Sequence, residues 1–598
     1  MARRVRVKMT LFNYLAKHFR IIACDSEFQP VAGEMPNVLC FVFKDCVTGE
    51  VWHCESKTDI EALPFDWEQT LLVAHNVYAE ALSLLAWEIP LPEYWICTWI
   101  ESKNVFQNGN NPKGFFTQLN VAKILEVPDD LIMDADEKNI MRDLILDNAQ
   151  WSSSEWKSII DYCEEDTVCC AALFPLLCKK IEETFERPIE HTATQMLVRG
   201  QAKSLEAQMY ANGIPVDTKS YNLFQEQWPN KKSKFIEQKN KILNVFEEGI
   251  FKQDLFENLL RRLQLYSEWP KTKTGKCSTA DGTLEEYEEV HPHIKLLRAV
   301  KNLIASGRLK GLEVGKDGRS RAEQKFFSTI TGRAAPSSTN YPFVAPRWLR
   351  TFIHPPAGKV LAYIDFSHEE PCIQAALSKD PNLTEAVKGD VYMYTANDAG
   401  ALRGVNDPDK VKSIRTIFKT TFLALSYGMG DWSVAAKTRA TISQAREMIA
   451  SIKHSYRVYY KWISNVVQMF KITGRMTTRH GWARSCKNVQ SINNRSLENW
   501  PIQAHGAEIL YWAIINIHKA GFKLIATVHD AVLVEFDVSD RIILDVYEVR
   551  KIMTRCAKDI VGMEIKTDVE MILYNWEQAK DAKALYDEIM ELVGSDLE

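Results

Sequence analysis

No stretch of eighteen uncharged apolar residues occurs in this 598-residue chain, so nothing in it reads as a membrane-spanning helix. No CxxC pair occurs among its 13 cysteines, which argues against a structural zinc, and 13 thiols in so long a chain do not make a disulfide scaffold. The expected setting is therefore reducing, intracellular and cytoplasmic. Internal repeats and low-complexity tracts are also missing, as is a secretory signal core. Neither charge sign dominates: 73 Lys and Arg face 78 Asp and Glu, for a net charge of -5 and a pI near 6.3. That balance argues against a chain coated in nucleic acid. A local basic cleft stays open, because binding depends on where the charge sits.

Hydrophobic residues make up 46% and charged residues 25% of the chain, which fits a soluble globular protein and excludes a disordered or collagen-like one. The length exceeds what one core can organise, so two to four packed units are expected. The first twenty residues carry six Lys or Arg and no acid. They read as a short basic lead-in to a strand near Arg20 rather than as a transit peptide.

Residues 20–28 (RIIACDSEF) read as a buried strand ending in acids, and residues 37–54 as a hairpin turning at Thr48-Gly49-Glu50. Helical patterns then dominate to about Glu190, which suggests an α/β layer domain. From His191 to about Ala322 the pattern is again mostly helical. It includes a lysine-rich run, NKKSKFIEQKNK, which reads equally as a solvated helix face and as a grip on a phosphate backbone. The irregular stretch WPKTKTGKCSTADGT interrupts the helices. Further on come a strand at 359–366 (KVLAYIDF), a long helix at 408–428, and two strands at 523–536 around a tight turn at His529-Asp530.

Two constellations carry chemistry. In the first, Asp25 and Glu27 stand at i and i+2 on a strand, so both point to one side of the sheet. Paired acids repel unless a cation lies between them, and hard Mg²⁺ or Mn²⁺ suits such oxygen donors. LLVAHNVYAEALSLL follows, an apolar entry into a helix with Asn76 and Glu80 one turn apart. Tyr162 and Asp166, at i and i+4, then share a helix face. In this order the set resembles the proofreading exonuclease fold of the DEDD type in its tyrosine-bearing variant. The resemblance implies that Asp25, Glu27, Glu80 and Asp166 hold two metal ions and that Tyr162 orients the attacking water. Glu80 departs from the family, which usually has Asp there.

In the second, Asp365 ends an apolar strand and Asp530 sits in a tight turn. Between them Arg415, Lys419, Leu423 and Tyr427 recur every fourth residue in SIRTIFKTTFLALSYGMG. At ~100° per residue they stay near one helix face. Two cations followed by an apolar and an aromatic position can hold a triphosphate at one end and a flat base at the other. IDFSHEEPCIQAALSKD, RTIFKTTFLALSYG and TVHDAVLVEF resemble motifs A, B and C of the family A DNA polymerases, the bacterial polymerase I type. STITGRAAPSS, GRMTTRHGWAR and RSLENWPIQAHGAEI stand around them in family order. The tracts around TGR and YGMG are similar to phage members.

The resemblance implies a multidomain α/β and α+β chain: a ribonuclease H-like exonuclease domain over 1–190, then a right-hand polymerase domain over 191–598. Within the latter the thumb is expected at about 195–325, the palm at about 326–378 and 500–598, and the fingers at about 379–499. It implies two metals at the polymerase site, held by Asp365, Asp530 and the Phe366 carbonyl, and two at the exonuclease site, with Mg²⁺ expected and Mn²⁺ as the alternative. Arg415 and Lys419 would grip the phosphates, with Lys419 the proton donor to pyrophosphate. Glu370 would exclude ribonucleotides and Tyr427 would stack near the template base. Arg333, Arg495, Asn499 and Gln503 would touch the minor groove, with His529 near the primer terminus.

Five positions depart from the family pattern. His368-Glu369 replace a common Gln-Ile, and Leu423 stands where Phe or Tyr packs on the incoming sugar. Tyr392 stands where a phosphate-contacting His is common, and Ala531 where Glu usually follows the aspartate. Leu423 is expected to make the enzyme discriminate between deoxy- and dideoxynucleotides. The implied partners are primer–template DNA, a single-stranded 3′ end and dNTPs. Replisome partners such as a helicase or single-strand binding protein are unspecified, and no membrane is implied. The exonuclease motifs begin so near residue 1 that no 5′ nuclease domain is expected. Two readings compete with a proofreading polymerase: an exonuclease whose polymerase-like part is inactive and merely binds DNA, and a non-catalytic scaffold of polymerase shape.

Overall fold

A computed structural model describes residues 9–594 apart from 109–110, 273, 289, 307–311, 337–339, 345–346, 427, 487 and 574–579. The chain divides into a larger unit (1–213, 323–335 and 361–571) and a smaller one (214–322, 336–360 and 572–598). The boundary expected at residue 190 falls inside the larger unit. There the helix Ile189–Asn212 packs both on the N-terminal strands and on the strand Lys523–Val528.

The larger unit holds two main sheets, besides the short pair Arg475–Thr477 and Ala483–Ser485. The first has five strands: β1 (Arg20–Gln29), β2 (Asn37–Asp45), β3 (Val51–Cys54), β4 (Thr70–Ala74) and β5 (Tyr94–Cys97), in the order β3-β2-β1-β4-β5. β2 runs antiparallel to β1, and β4 parallel to it. β4 is buried at all five positions. The apolar run LLVA is thus strand and not the opening of a helix, which starts only at Val77. A run of four apolar residues fits a doubly covered strand as well as a buried helix, so periodicity alone does not separate them. A second correction concerns the lead-in to Arg20. Leu11–His18 form a helix, with Thr10 accepting from the Asn13 N–H and Leu11 and Leu15 facing inward.

The second sheet has four strands, in the order Lys523–Val528, Ala531–Asp537, Lys359–Phe366, Thr567–Ile572. Buried polar bonds tie the region of the first sheet to that of the second. Lys103 Nζ donates to the carbonyls of Phe327 (2.5 Å) and Ser328 (3.0 Å), and Asn104 exchanges bonds with Gly481 and Ala483. Arg199 forms a two-pronged pair with Glu101 at 2.7 and 2.8 Å.

The smaller unit is mostly helical. Phe224, Trp228, Trp348 and Phe352 pack together in one core, and Phe256, Leu260 and Trp269 in another. The lysine-rich run lies on the helix Thr218–Leu243, with Ile236 turned inward. All thirteen cysteines are free, and all but Cys46 are buried. No helix among the described residues is long and apolar enough to cross a membrane.

Candidate active sites

The N-terminal cluster is built on β1. Asp25 and Glu27 stand opposite Val42 and Cys40 of β2, and the register shifts just after Glu27, a bulge of the kind that re-aims side chains next to functional sites. The 32-residue helix Ser153–Thr184, opened by a Ser152/Glu155 capping box, packs against β1 and β2. It brings Tyr162, Cys163 and Asp166 to the acids. One donor atom each from Asp25, Glu27 and Cys163 lies within 4.8 Å of the others, and Cys163 Sγ is 3.8 Å from Asp25 Oδ2.

Glu80, in the first turn of the helix Val77–Ala86, is buried, and its Oε2 has no hydrogen-bond partner. Burial, helped by Asp166, pushes Asp25 up to about 8. Burial and the Asp25 charge raise Glu27 and Glu80 as well. A crowd of acids that resist ionising fits a divalent cation, which would favour their charged forms. Asp166 instead pairs with Lys138, whose ammonium also opposes the charge on Asp25 and Glu27. Burial and Asp166 hold the Tyr162 phenol protonated, so it can donate to that carboxylate.

The second cluster lies in the second sheet. Val528 pairs directly with Ala531, so His529 and Asp530 form a two-residue loop, with His529 in the left-handed region at φ 58°. A positive φ at the first loop position matches the twist of the flanking strands. The turn sets Asp530 beside Asp365, closely enough for the two carboxyls to share a hydrogen bond, and burial and this contact lift Asp365 to about 7. Burial raises Asp530 too. Asp365 Oδ1 has no hydrogen-bond partner. The pair thus offers hard oxygen donors of the type a Mg²⁺ or Mn²⁺ ion accepts. Phe366 is buried next to Asp365, and the Ser367 hydroxyl donates to Asp568 at 2.6 Å.

Arg415 and Lys419 lie on the helix Pro408–Ser426, 5.6 and 5.8 Å from the centre of the buried Tyr392 ring. Arg415 pairs with Asp390, which caps the helix carrying Tyr392. Leu423 is half-buried on the same helix, and Tyr427 lies outside the described residues. Arg333 Nη2 is 3.6 Å from Glu369 Oε2 and 3.7 Å from Glu370 Oε1. Arg495, Asn499 and Gln503 follow at four-residue steps on the helix Asn494–Lys519. Arg495 and His529 are exposed, and Asn499 and Gln503 half-buried.

Sequence reasoning missed Lys138, Cys163 and Asp390, and saw Glu369 only as a departure. GDVY could have marked Asp390 as a helix cap, whereas nothing local to Lys138 or Cys163 marks them as neighbours of the β1 acids.

The described residues thus hold two separate acid clusters, one around Asp25 and one around Asp365 and Asp530, and Arg415 and Lys419 lie together over Tyr392. The family model "DNA polymerase family A" matches residues 222–578. The chain belongs to that family. It is 25% identical to DNA polymerase I of Caldicellulosiruptor bescii over 68% of this chain and 50% of that protein. To DNA polymerase I of Borreliella burgdorferi it is 24% identical, over 77% of this chain and 53% of that protein. It spans about half the length of these relatives. Among solved structures it resembles the POL domain of Pol1 from M. smegmatis in complex with DNA primer-template and dNTP. That likeness has a TM-score of 0.68 at 18% identity and covers 96% of this chain and 98% of that one; it is a likeness of fold.

Proposed function

We propose that the chain is a template-directed DNA polymerase that extends a primer 3′ end with deoxynucleotides and removes mispaired ends with a 3′-5′ exonuclease. The observation that carries the polymerase reading is the meeting of Asp365 and Asp530, far apart in the chain, in a chain of family A. The M. smegmatis neighbour was solved with primer-template and dNTP, which supports the same ligands here. The expected thumb, about 195–325, overlaps the smaller unit, which also takes in 336–360 and 572–598 from the expected palm.

Asp365 and Asp530, with the Phe366 carbonyl, would hold the divalent ions at the polymerase site. The chemistry those ions supply is electrostatic: ionisation of the attacking hydroxyl is favoured and the triphosphate charge offset. Lys419 and Arg415 bind the phosphates, and Arg415 leaves Asp390 to do so. Lys419 passes a proton to the departing pyrophosphate. Glu370 closes the space beside the sugar 2′ carbon. Arg333, Arg495, Asn499 and Gln503 address minor-groove acceptors that every base pair shares, so they test pair shape rather than sequence. His529 lies by the primer terminus; Tyr427, expected near the template base, lies outside the described residues.

For the exonuclease reading, the strand order β3-β2-β1-β4-β5 with β2 antiparallel is that of ribonuclease H-like sheets. Asp25, Glu27, Glu80 and Asp166 converge on one place in it. These four would hold two ions, and Tyr162 would orient the water.

A primer-extension gel with Mg²⁺ and four dNTPs tests both halves. Extension is expected from the unsubstituted chain and none from Asp365→Ala or Asp530→Ala. Asp25→Ala should extend without degrading single strands. Wild-type extension by Asp530→Ala would overturn the polymerase assignment, and continued degradation by Asp25→Ala would overturn the other.

A further inference from the structure

Glu369 opens the helix Glu369–Ser378 after His368, whose φ of 55° turns the chain sharply out of the strand. An acid in the first turn of a helix ordinarily sits in water, where the helix dipole favours it. Glu369 does not: it is 2% exposed, and neither carboxylate oxygen has a hydrogen-bond partner. A buried carboxylate left unbonded is costly, so a neighbour must justify it. That neighbour is Arg333, whose Nη2 lies 3.6 Å from Glu369 and 3.7 Å from Glu370.

The helix Asn494–Lys519 makes room for the pair. A Cβ on Gly506 would stand 2.8 Å from Glu369 Oε2 and 3.2 Å from Arg333 Nη2. Glycine is a poor helix former, so one at this point in a 26-residue helix has a packing reason. Ala531, meanwhile, puts no carboxylate beside Asp530 from the strand side.

Resting on the polymerase reading, we infer that Glu369 is a positioning residue. From the clearance left by Gly506, it holds one edge of the Arg333 guanidinium so that the other edge meets the terminal base pair of the primer–template. It fixes the reader of pair shape and does not itself touch substrate.

The test is single-turnover extension by the full chain, from primers with a matched or a mismatched 3′ pair. Phosphorothioate linkages in the primer block its degradation. Glu369→Gln and Gly506→Ala should each lower the matched-to-mismatched rate ratio by about tenfold. Arg333→Ala should lower it as far, and adding Glu369→Gln to Arg333→Ala should change it no further. Gly506→Ala should cost nothing more once Glu369 is Ala. A merely structural role would slow both primers alike. A ratio within about twofold of wild type for Glu369→Gln, or an undiminished Glu369→Gln effect in the Arg333→Ala background, overturns the inference. If Glu369→Gln does not fold, Glu369→Ala decides alone: a lowered ratio supports the inference and an unchanged one overturns it. Absence of extension by the unsubstituted chain would sink the polymerase reading instead.

Discussion

Asp25 carries a proton in the metal-free fold up to about pH 8, against 3.8 for an ordinary aspartate. A raised folded pKa gives stability that is present at low pH and lost as pH rises through the folded value. In EDTA, Asp25→Asn should therefore melt above wild type, with a gap that widens from about pH 4 to about pH 8. Scanning calorimetry at a series of pH values reads this, and a flat gap would refute it. At the polymerase site, Asp530→Asn should cut extension by about 10³-fold or more, while degradation of single strands stays at wild type. At this scale the acids were legible. Asp25 and Glu27 alternate on one strand, Asp365 stands at the end of another and Asp530 in a tight turn, each within a short run of residues that sequence order selects. Lys138 and the Arg333–Glu369 contact were not, because their partners come from segments far away in the chain and no local pattern encodes that meeting.

Elements meet by shape as well as by polarity. The helix Ile189–Asn212 crosses β5 so closely that a Cβ on Gly200 would lie 1.9 Å from the Trp95 carbonyl oxygen. Gly200→Ala should destabilise the chain by about 3 kcal/mol or more, seen as a fall in the urea midpoint. β1, the β2–β3 hairpin and the two strands around His529-Asp530 were readable because alternation and turn residues agree there. β4 was mistaken for helix because its core burial erases the alternation that marks a half-exposed strand. The helix Leu11–His18 was overlooked because the basic residues before it masked a short amphipathic pattern whose inward side is only Leu11 and Leu15.

At the scale of the molecule, the two acid clusters belong to one folded unit. The boundary at residue 190, drawn where one set of motifs ends and the other begins, cuts through it. Removing residues 1–190 would take Glu101 from Arg199 and strip β5 and the helix Val77–Ala86 from the helix Ile189–Asn212, exposing its buried face to water. The remainder, 191–598, should melt well below the intact chain or fail to stay in solution. An equal melting temperature would show the boundary to be real. Motif order could not reveal this, since it says nothing about which surfaces the Lys103 and Asn104 side chains seal. The cysteines have a practical corollary at the bench. With twelve thiols shielded and only Cys46 partly accessible, a colorimetric thiol reagent should react slowly with the native protein, and its rate becomes a clock for transient opening. Once opened, the chain needs a reductant to find its way back, or stray cross-links will trap it.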